Sequence, residues 1–499
     1  MPLFVGHDLG TGGNKASLVD LEGRVLAEHT ATYPLAHPEK GWAEQEPEHW
    51  WRAVVECTRS VVSKAGVSPS DVVALGFAGQ MLSLVPLDRE GTPTRRAISW
   101  MDARADEEAR RMTRRLGGEK VMHLLAGAAP TGKDLVAKIA WIAAHEPAVH
   151  AKTFGYTDAT GFLVARATGI VGIDPTAAGA TGILDAKSRT WSRLLATLIS
   201  FPLDKMPTLF RSIDVVGTLT RHAAEELGLS PSTQVAAGMA DIPSAAVGSG
   251  ALEPGDAHVY LGTSSWIGVT VRSPKMVPKA GIASVPAPDP STCLLIGESE
   301  TAGACREWFE KNVGVGESES LDALAARAEP GSGGVLFLPW MYGERSPVPD
   351  TRVRGAWVNV SLEHERAHLM RSLYEGVALN LRWILDECRS IGEPCPTLRA
   401  IGGGARSDLW LQILADVTER PIEKVAEPRQ AGAVGAALVA AVATGHLPSV
   451  PSIKQKVRVD RRFEPTRANR AVYEEAYGVF RELHGPLSRA GRLLRSRPG

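Results

Sequence analysis

Apolar and polar residues alternate through LFVGHDLG and NKASLVDL, which read as two strands joined by a tight turn at TGG. A third alternating run, RVLAEHTATYPL, follows the EGR turn. After GWAEQEP the period changes. Trp50, Val54, Cys57 and Val61 recur at helical spacing and predict an amphipathic helix over 47–64. DVVALGFAGQMLSLVPLD predicts a strand, a small-residue loop and a second strand, with a turn at DREGTP. The Arg- and Glu-rich stretch 103–116 predicts a solvated helix, and 134–145 and 159–168 predict more buried ones. TQVAAGMADIPSAAVGSG passes from a strand through a loop into a helix of small residues. The second half repeats the order with a hairpin over 257–271, a helix over 302–312 and a strand at VLFLPW. A long helix over about 362–390 follows, with Leu362, Leu369, Leu373 and Val377 as its buried stripe, then strand LRAIGG and a helix from Leu409. This alternation predicts two α/β domains, 1–247 and 248–499, each a mixed sheet flanked by helices.

The two hairpins repeat each other half a chain apart. Residues 8–19 read DLGTGGNKASLV and residues 260–271 read YLGTSSWIGVTV, so Gly10 matches Gly262 and Thr11 matches Thr263. Each tip offers backbone N–H groups and a Thr hydroxyl, which can hold a phosphate without a helix N-terminus. A Gly-rich hairpin turn is usually only a turn; the matched spacing and flanking periodicity make the pair more than that. Asp8 precedes the first tip and Tyr260 the second, so one half brings a carboxylate and the other only neutral donors. Two such hairpins facing each other predict a nucleotide clamp built by duplication.

Composition narrows the function classes. A chain of 499 residues exceeds one ordinary core and fits two or three domains. Hydrophobic residues make up 44% and charged residues 22%, as in globular proteins. Lys plus Arg (55) and Asp plus Glu (56) nearly cancel, which argues against a nucleic-acid partner. Cys57, Cys293, Cys305, Cys388 and Cys395 are scattered without a C-x-x-C, pointing to a reducing cytoplasm rather than disulfides or zinc knuckles. Neither a signal peptide nor an apolar run long enough to span a membrane is expected. The Arg-rich end, 488–499, is expected to fray.

Two motifs mislead. GAAPTGKD resembles a phosphate-binding loop, but Asp134 follows Lys133 where Ser or Thr is needed, and the preceding EKVMHLLA looks helical. Lys133 remains free to touch a ligand. His364, Glu365 and His368 spell H-E-x-x-H, with Glu387 a conceivable third ligand, but the histidines are expected on a wet helix face with Arg371 and Glu375. That predicts no zinc. Asp241, among Ala, Gly and Met before a small-residue helix, reads equally as a helix cap or as a working carboxylate. Phosphoryl transfer to a hydroxyl needs one carboxylate for the proton and another near the metal–phosphate end, and Asp241 and Asp8 fit that division. IGGGARSDLW reads as a strand, three glycines and a helix near Asp408, either a plain β–α turn or a flat seat for an adenine ring.

DLGTGGNK, GWAEQEPEHWW, AGQM, ISWMDAR, LPWMYGERSPVPD, LEHERAHLMRSLYEGVALNLRW and IGGGARSDLW together resemble the FGGY carbohydrate kinases, of the actin/hexokinase/Hsp70 superfamily. The match spans Asp8 to about Gly445, and GWAEQEP, GERSP and the EHERAHL helix are most similar to the xylulokinase branch. The resemblance implies two duplicated ribonuclease-H-like domains around a central ATP/sugar cleft, with ATP and Mg²⁺ required and D-xylulose the first candidate substrate. Another ketose, a polyol, or a non-catalytic nucleotide-dependent module are the alternatives. It implies Asp241 as general base and Asp8 beside Mg²⁺. Gly12 and Lys15 would line the first tip, and Gly262 and Thr263 would hold phosphates from the other side. Gly303, Gly404 and Asp408 would meet the adenosine, and Gln80, Met81, Leu82, Trp100 and Asp102 the sugar. Two departures stand out: Leu82 occupies the place of a usual His, and Gly12 and Gly13 that of the usual tip serines. Closure of the domains over the ligands is expected, and a homodimer is compatible.

Overall fold

A computed structural model of the chain describes residues 1–118, 130–185, 187–201, 203–314 and 319–495. The first sheet contains β1 (Leu3–Leu9), β2 (Gly13–Asp20), β3 (Val25–Thr32), β4 (Val72–Gly79), β5 (Val215–Thr218) and β6 (Gln234–Ala236). Their spatial order is β5-β6-β4-β1-β2-β3, with β7 (Met239–Ala240) also on β4. The second sheet contains β8 (Ala257–Leu261), β9 (Ser265–Val271), β10 (Met276–Val277), β11 (Ile282–Pro286) and β12 (Cys293–Ser299). It continues with β13 (Leu398–Ile401), β14 (Ile422–Val425) and β15 (Val459–Phe463), in the order β10-β11-β12-β9-β8-β13-β14-β15. The runs β3-β2-β1-β4-β6 and β12-β9-β8-β13-β14 correspond strand for strand. In both, the hairpin pairs are antiparallel and the next two strands parallel to the first.

Helix α1 (Pro47–Ala65) starts with Pro at its first position and ends on left-handed Gly66. Its Trp50, Val54, Cys57 and Val61 lie in the core on the outer face of the first sheet. α2 (Asp106–Arg115) and α3 (Leu135–His145) build a separate small core with Leu84, Ile98 and Tyr156, and α4 (Ala159–Thr168) joins α1. α5 (Asp241–Ser249), the small-residue helix, leads into the second half. There α6 (Gly303–Asn312), α7 (Arg366–Ser390) and α8 (Asp408–Thr418) pack on the outer face of the second sheet. α9 (Ala431–Ala443) returns to lie between the sheets, and α10 (Arg470–Arg495) closes over α7.

Four expectations are corrected. The long helix starts at Arg366 rather than near 362, so Leu362 is fully exposed and only Leu373 and Val377 of its stripe are fully buried. Arg371 and Glu375 are not on a wet face: α10 covers them, and they pair at 2.9 Å under the Tyr473 hydroxyl. The C-terminal stretch continues α10 as far as Arg495, with Ser488 buried against Asp350, because one face of that helix has a partner the local sequence does not reveal. The 103–116 helix is solvated on one side only, since Ala109 and Met112 are core.

The contact that joins the halves is backbone on backbone. A Cβ at Gly6 would lie 1.9 Å from the Ala433 carbonyl oxygen, and one at Gly76 would lie 2.0 Å from that of Ala436. Gly248 faces Ala431, and Gly435 faces Ser244, with the same intimacy. A side chain at Gly6 or Gly76 forces α9 off β1 and β4, and one at Gly248 or Gly435 forces it off α5. Gly76→Val should therefore destabilise the protein by about 1–3 kcal/mol or more, as overpacking does. Gly478→Ala, in the open face of α10 with nothing within 4 Å, should be neutral or mildly stabilising. Thermal melting of the two variants checks this; equal midpoints would show that α9 can shift freely.

Candidate active site

A cleft of about 750 Å³ opens between the two sheets, lined by residues from both hairpins, α5, α6, α8 and α9. It brings together Asp8, Lys15, Asp241, Gly262, Thr263 and Gly303 with Gly404, which lie far apart in sequence. Asp8 and Lys15 are register partners across the first hairpin and form an ion pair of 2.8 Å. Asp8 holds the Lys15 ammonium above its usual pKa. A Cβ on Gly432 would sit 2.7 Å from the Asp8 carboxylate, so α9 starts hard against it. In the second hairpin Tyr260 takes the position of Asp8 and stacks on Trp266, with ring centroids 3.7 Å apart.

The two tips differ in detail. Gly10 N–H bonds the Gly13 carbonyl at 3.0 Å and Gly262 N–H the Ser264 carbonyl at 2.9 Å, closing each turn. The carbonyls of Gly262 and Thr263 are occupied by N–H groups of Gly303, Ala302 and Ala304 at the start of α6, which fixes the second tip to that helix. The close approach needs Gly303, where a Cβ would meet the Gly262 oxygen at 2.5 Å. Gly12 is exposed with nothing within 4 Å of an added Cβ, so a serine would fit there, whereas at Gly13 it would meet Ala31 O at 2.7 Å.

Asp241 is the first residue of α5, not its cap; Ala240 holds that position. Its Oδ1 accepts the Ile242 N–H, at 2.9 Å. Burial first, then the Asp8 and Glu298 charges, push its pKa up to about 7, against the pull of the Ile242 and Met81 backbone groups. A carboxylate poised there can take a proton near neutral pH. Behind it, the Thr176 hydroxyl donates to Asp174 and accepts the Ala240 N–H at 2.8 Å, anchoring the turn into α5.

Other expected residues stand off the cleft. Trp100 Nε1 donates to Thr11 Oγ1 at 2.8 Å, and Gln80 is buried with its Oε1 unpartnered and its Nε2 on Gln45 at 2.7 Å. Leu82 adopts φ +60° and packs against the α2–α3 core. Asp102 is fully buried, and its carboxylate accepts Ala43 N–H and three Arg104 donors, filling all four lone-pair directions. Asp408 stands at the start of α8. It pairs with Lys424 and Arg461 at 3.0 and 2.7 Å outside the cleft, whose wall is instead Arg406, Ser407 and Trp410. Arg429 and Gly432 line the cleft and were missed; the Gly- and Ala-rich run that begins α9 was their only signal.

Of the misleading loop, residues 127–129 and the expected EKVMHLLA helix lie outside the described residues, and Asp134 folds back onto the Thr131 N–H at 2.6 Å. His364 precedes α7 and accepts the Ser361 N–H, His368 accepts that of Glu365, and Glu387 takes the Trp383 indole N–H. Among the described residues, no three His, Cys, Asp or Glu side chains converge as a metal site, and no helix is long and apolar enough to cross a membrane.

The family models for the N-terminal and C-terminal domains of the FGGY family of carbohydrate kinases match residues 3–248 and 257–444. The chain belongs to the FGGY family of carbohydrate kinases. This kinase is 30% identical to the xylulose kinase of Bacillus subtilis over 498 residues, covering 99% of each chain. It is 26% identical to the gluconokinase of the same organism, covering 96% of this chain and 95% of that one. The crystal structure of xylulose kinase from Rhodospirillum rubrum superposes with a TM-score of 0.86 at 29% identity, covering 98% and 99%. The protein is thus an ATP-dependent carbohydrate kinase with the two-domain α/β fold of the actin/hexokinase/Hsp70 superfamily around a central cleft.

The buried Asp102–Arg104 pair distinguishes support from ligand contact in this kinase. Asp102→Ala should lower stability by about 1.5–3 kcal/mol, the scale for losing buried hydrogen bonds to a charged group, since Glu44 still pairs with Arg104 at 2.8 Å. Denaturant unfolding measures it. Wild-type stability with only a raised KM for the sugar would return Asp102 to the binding surface.

Proposed function

We propose that the enzyme phosphorylates D-xylulose to D-xylulose 5-phosphate with ATP. The observation that carries the catalytic part is Asp241, a buried carboxylate raised to about pKa 7, at the edge of a cleft shared with Asp8 and both hairpins. Its carboxylate takes the proton of the sugar hydroxyl as that oxygen attacks the γ-phosphorus. The bond from the γ-phosphorus to the β–γ bridging oxygen breaks, and ADP leaves. Lys15 and the backbone N–H groups of Gly12 and Thr263 face the phosphates, Gly262 closes the second turn beside them, and Gly303 and Gly404 line the part of the cleft where the adenosine would lie. Asp8 would hold Mg²⁺, which neutralises phosphate charge when bound. The fit is supported by its hard oxygen donor and by the side-chain-free Gly432 alongside. The sugar would meet Gln80, Met81, Leu82 and Trp100; the unpartnered Gln80 Oε1 supports a hydroxyl donor there.

The corresponding strand orders support duplication of a ribonuclease-H-like unit, divided as 1–247 and 248–499. Five buried, free cysteines support a reducing, cytoplasmic setting.

Asp241→Asn should keep its fold and Mg-ATP binding and lose sugar-dependent turnover by at least about a hundredfold. Because the working form is the carboxylate, kcat/KM of the wild type should fall about tenfold per unit below pH about 7 and level off above it. The variant should lack that limb. Near-wild-type turnover would reduce Asp241 to a structural acid.

A different sugar is the second reading, favoured by Leu82, which brings no donor where the xylulokinase pattern has His. A coupled ADP-release assay over D-xylulose, D-ribulose, L-ribulose, xylitol, ribitol and gluconate decides. Leu82→His should improve D-xylulose relative to the other ketoses, since His tolerates positive φ better than Leu and restores a hydrogen bond worth about 0.5–1.5 kcal/mol. A wild-type preference above about tenfold for a polyol or gluconate, roughly 1.4 kcal/mol, would exclude xylulose while leaving the kinase.

A further inference from the structure

Two loops run side by side behind Asp241. Leu84 and Ile98 exchange backbone hydrogen bonds of 2.9 and 3.0 Å, and the Ser83 hydroxyl accepts the Trp100 N–H at 3.3 Å. In the first loop Leu82 holds φ +60°, where the Cβ of an L-residue crowds the following carbonyl. Isolated strain of this kind persists only where the surroundings enforce it. The enforcing group is Lys138 on α3. Its side chain is fully buried, and Nζ donates to the Leu82 carbonyl at 2.8 Å and to the Ser99 carbonyl at 2.9 Å, one from each loop.

Packing alone does not account for a lysine here. Met has nearly the same length and would fill the space without desolvating an amine. Burial pushes the Lys138 pKa down to about 7, with the Asp102 and Asp134 charges opposing and those of Arg104 and Lys133 adding to the fall. The neutral amine still has two N–H donors for two carbonyls, so the grip survives titration. One residue before Leu82, the Met81 backbone acts on the Asp241 carboxylate.

We propose that Lys138 is a positioning residue: by gripping the Leu82 and Ser99 carbonyls it locks Leu82 in its left-handed conformation and fixes the Gln80–Met81 edge against the sugar and Asp241. This rests on the assignment of that loop to the sugar side. α3 contributes nothing to the nucleotide cleft, so the effect is confined to one substrate.

Lys138→Met is expected to raise the KM of the best sugar by about tenfold or more while KM for ATP stays within about twofold. Gly adopts φ +60° without strain, so the same substitution made in Leu82→Gly should cost no more than about threefold. Hydrogen–deuterium exchange of residues 80–84 should rise in Lys138→Met and not rise further when Lys138→Met is added to Leu82→Gly. Should Lys138→Met fail to fold, Lys138→Gln, one atom shorter and bringing an oxygen toward those carbonyls, weakens the grip while staying polar and should show the same split between the two KM values at smaller amplitude. Equal changes in both KM values, additive effects of the two substitutions, or unchanged exchange would overturn the proposal. Absence of turnover with every sugar would instead sink the sugar-kinase reading, and the exchange measurement would still decide on Lys138.

Discussion

Everything in this cleft depends on how closely one helix can approach a sheet. α9 touches β1 at Gly6 and β4 at Gly76 through its own backbone carbonyls, and α5 meets it at Gly248 and Gly435 in the same manner. No side chain separates these elements, so no rotamer can absorb a displacement, and the positions of Asp8, Gly432 and Asp241 are set by backbone geometry alone. The Ser244 hydroxyl adds a bond of 2.7 Å to the Gly432 carbonyl, tying α5 to α9 just where both face the cleft. Around this seam Val19, Ala74, Val247, Ile401, Val434 and Leu438 form one core shared by both halves.

Electrostatics then divides the labour between two carboxylates. Asp8 has Lys15 as a counter-charge, and Asp241 has none, so the burden of burial and mutual repulsion falls on Asp241. That asymmetry separates a group fit to hold charge from one fit to accept a proton. The second hairpin avoids adding a third carboxylate. Tyr260, stacked on Trp266, replaces the acid with a flat wall and leaves backbone donors as the polar groups of its tip. Glu298, the register partner of Trp266, is held by Arg345, which limits its effect on Asp241.

What the sequence showed and what it hid follow the range of the interactions concerned. The hairpins, α1, α4 and α6 are written in local periodicity and turn residues, and their spans lie within about two residues of expectation. Arg371 and Glu375 looked solvated because their cover, Tyr473, is about a hundred residues away. The partners of Asp102 and Asp408 were not legible, because Ala43, Lys424 and Arg461 reach them from other elements. The run AGAVGAALVAAVA showed its small residues plainly, but their purpose appears only against Gly6 and Gly76. Lys138 gave no signal, since one lysine in an apolar helix pattern cannot reveal which carbonyls it meets.

The glycines at the first tip raise a question that the neighbouring side chains answer. Gly12 and Gly13 follow Gly10 and Thr11, and a turn of Gly-Thr-Gly-Gly has little rigidity of its own. Rigidity comes from outside the hairpin. Trp100 holds the Thr11 hydroxyl, Gln45 holds the Thr11 carbonyl at 2.8 Å, and the Tyr33 hydroxyl donates to the Gly10 carbonyl. Gln45 in turn accepts from Gln80, and Trp100 N–H bonds Ser83, so the same side chains that steady the tip continue into the loops beside Asp241. The Tyr33 contact lies outside those loops and holds the tip when the sugar side relaxes. The tip also keeps its own closing bond from the Gly10 N–H to the Gly13 carbonyl, at 3.0 Å, so its shape does not rest on the loops that Lys138 grips.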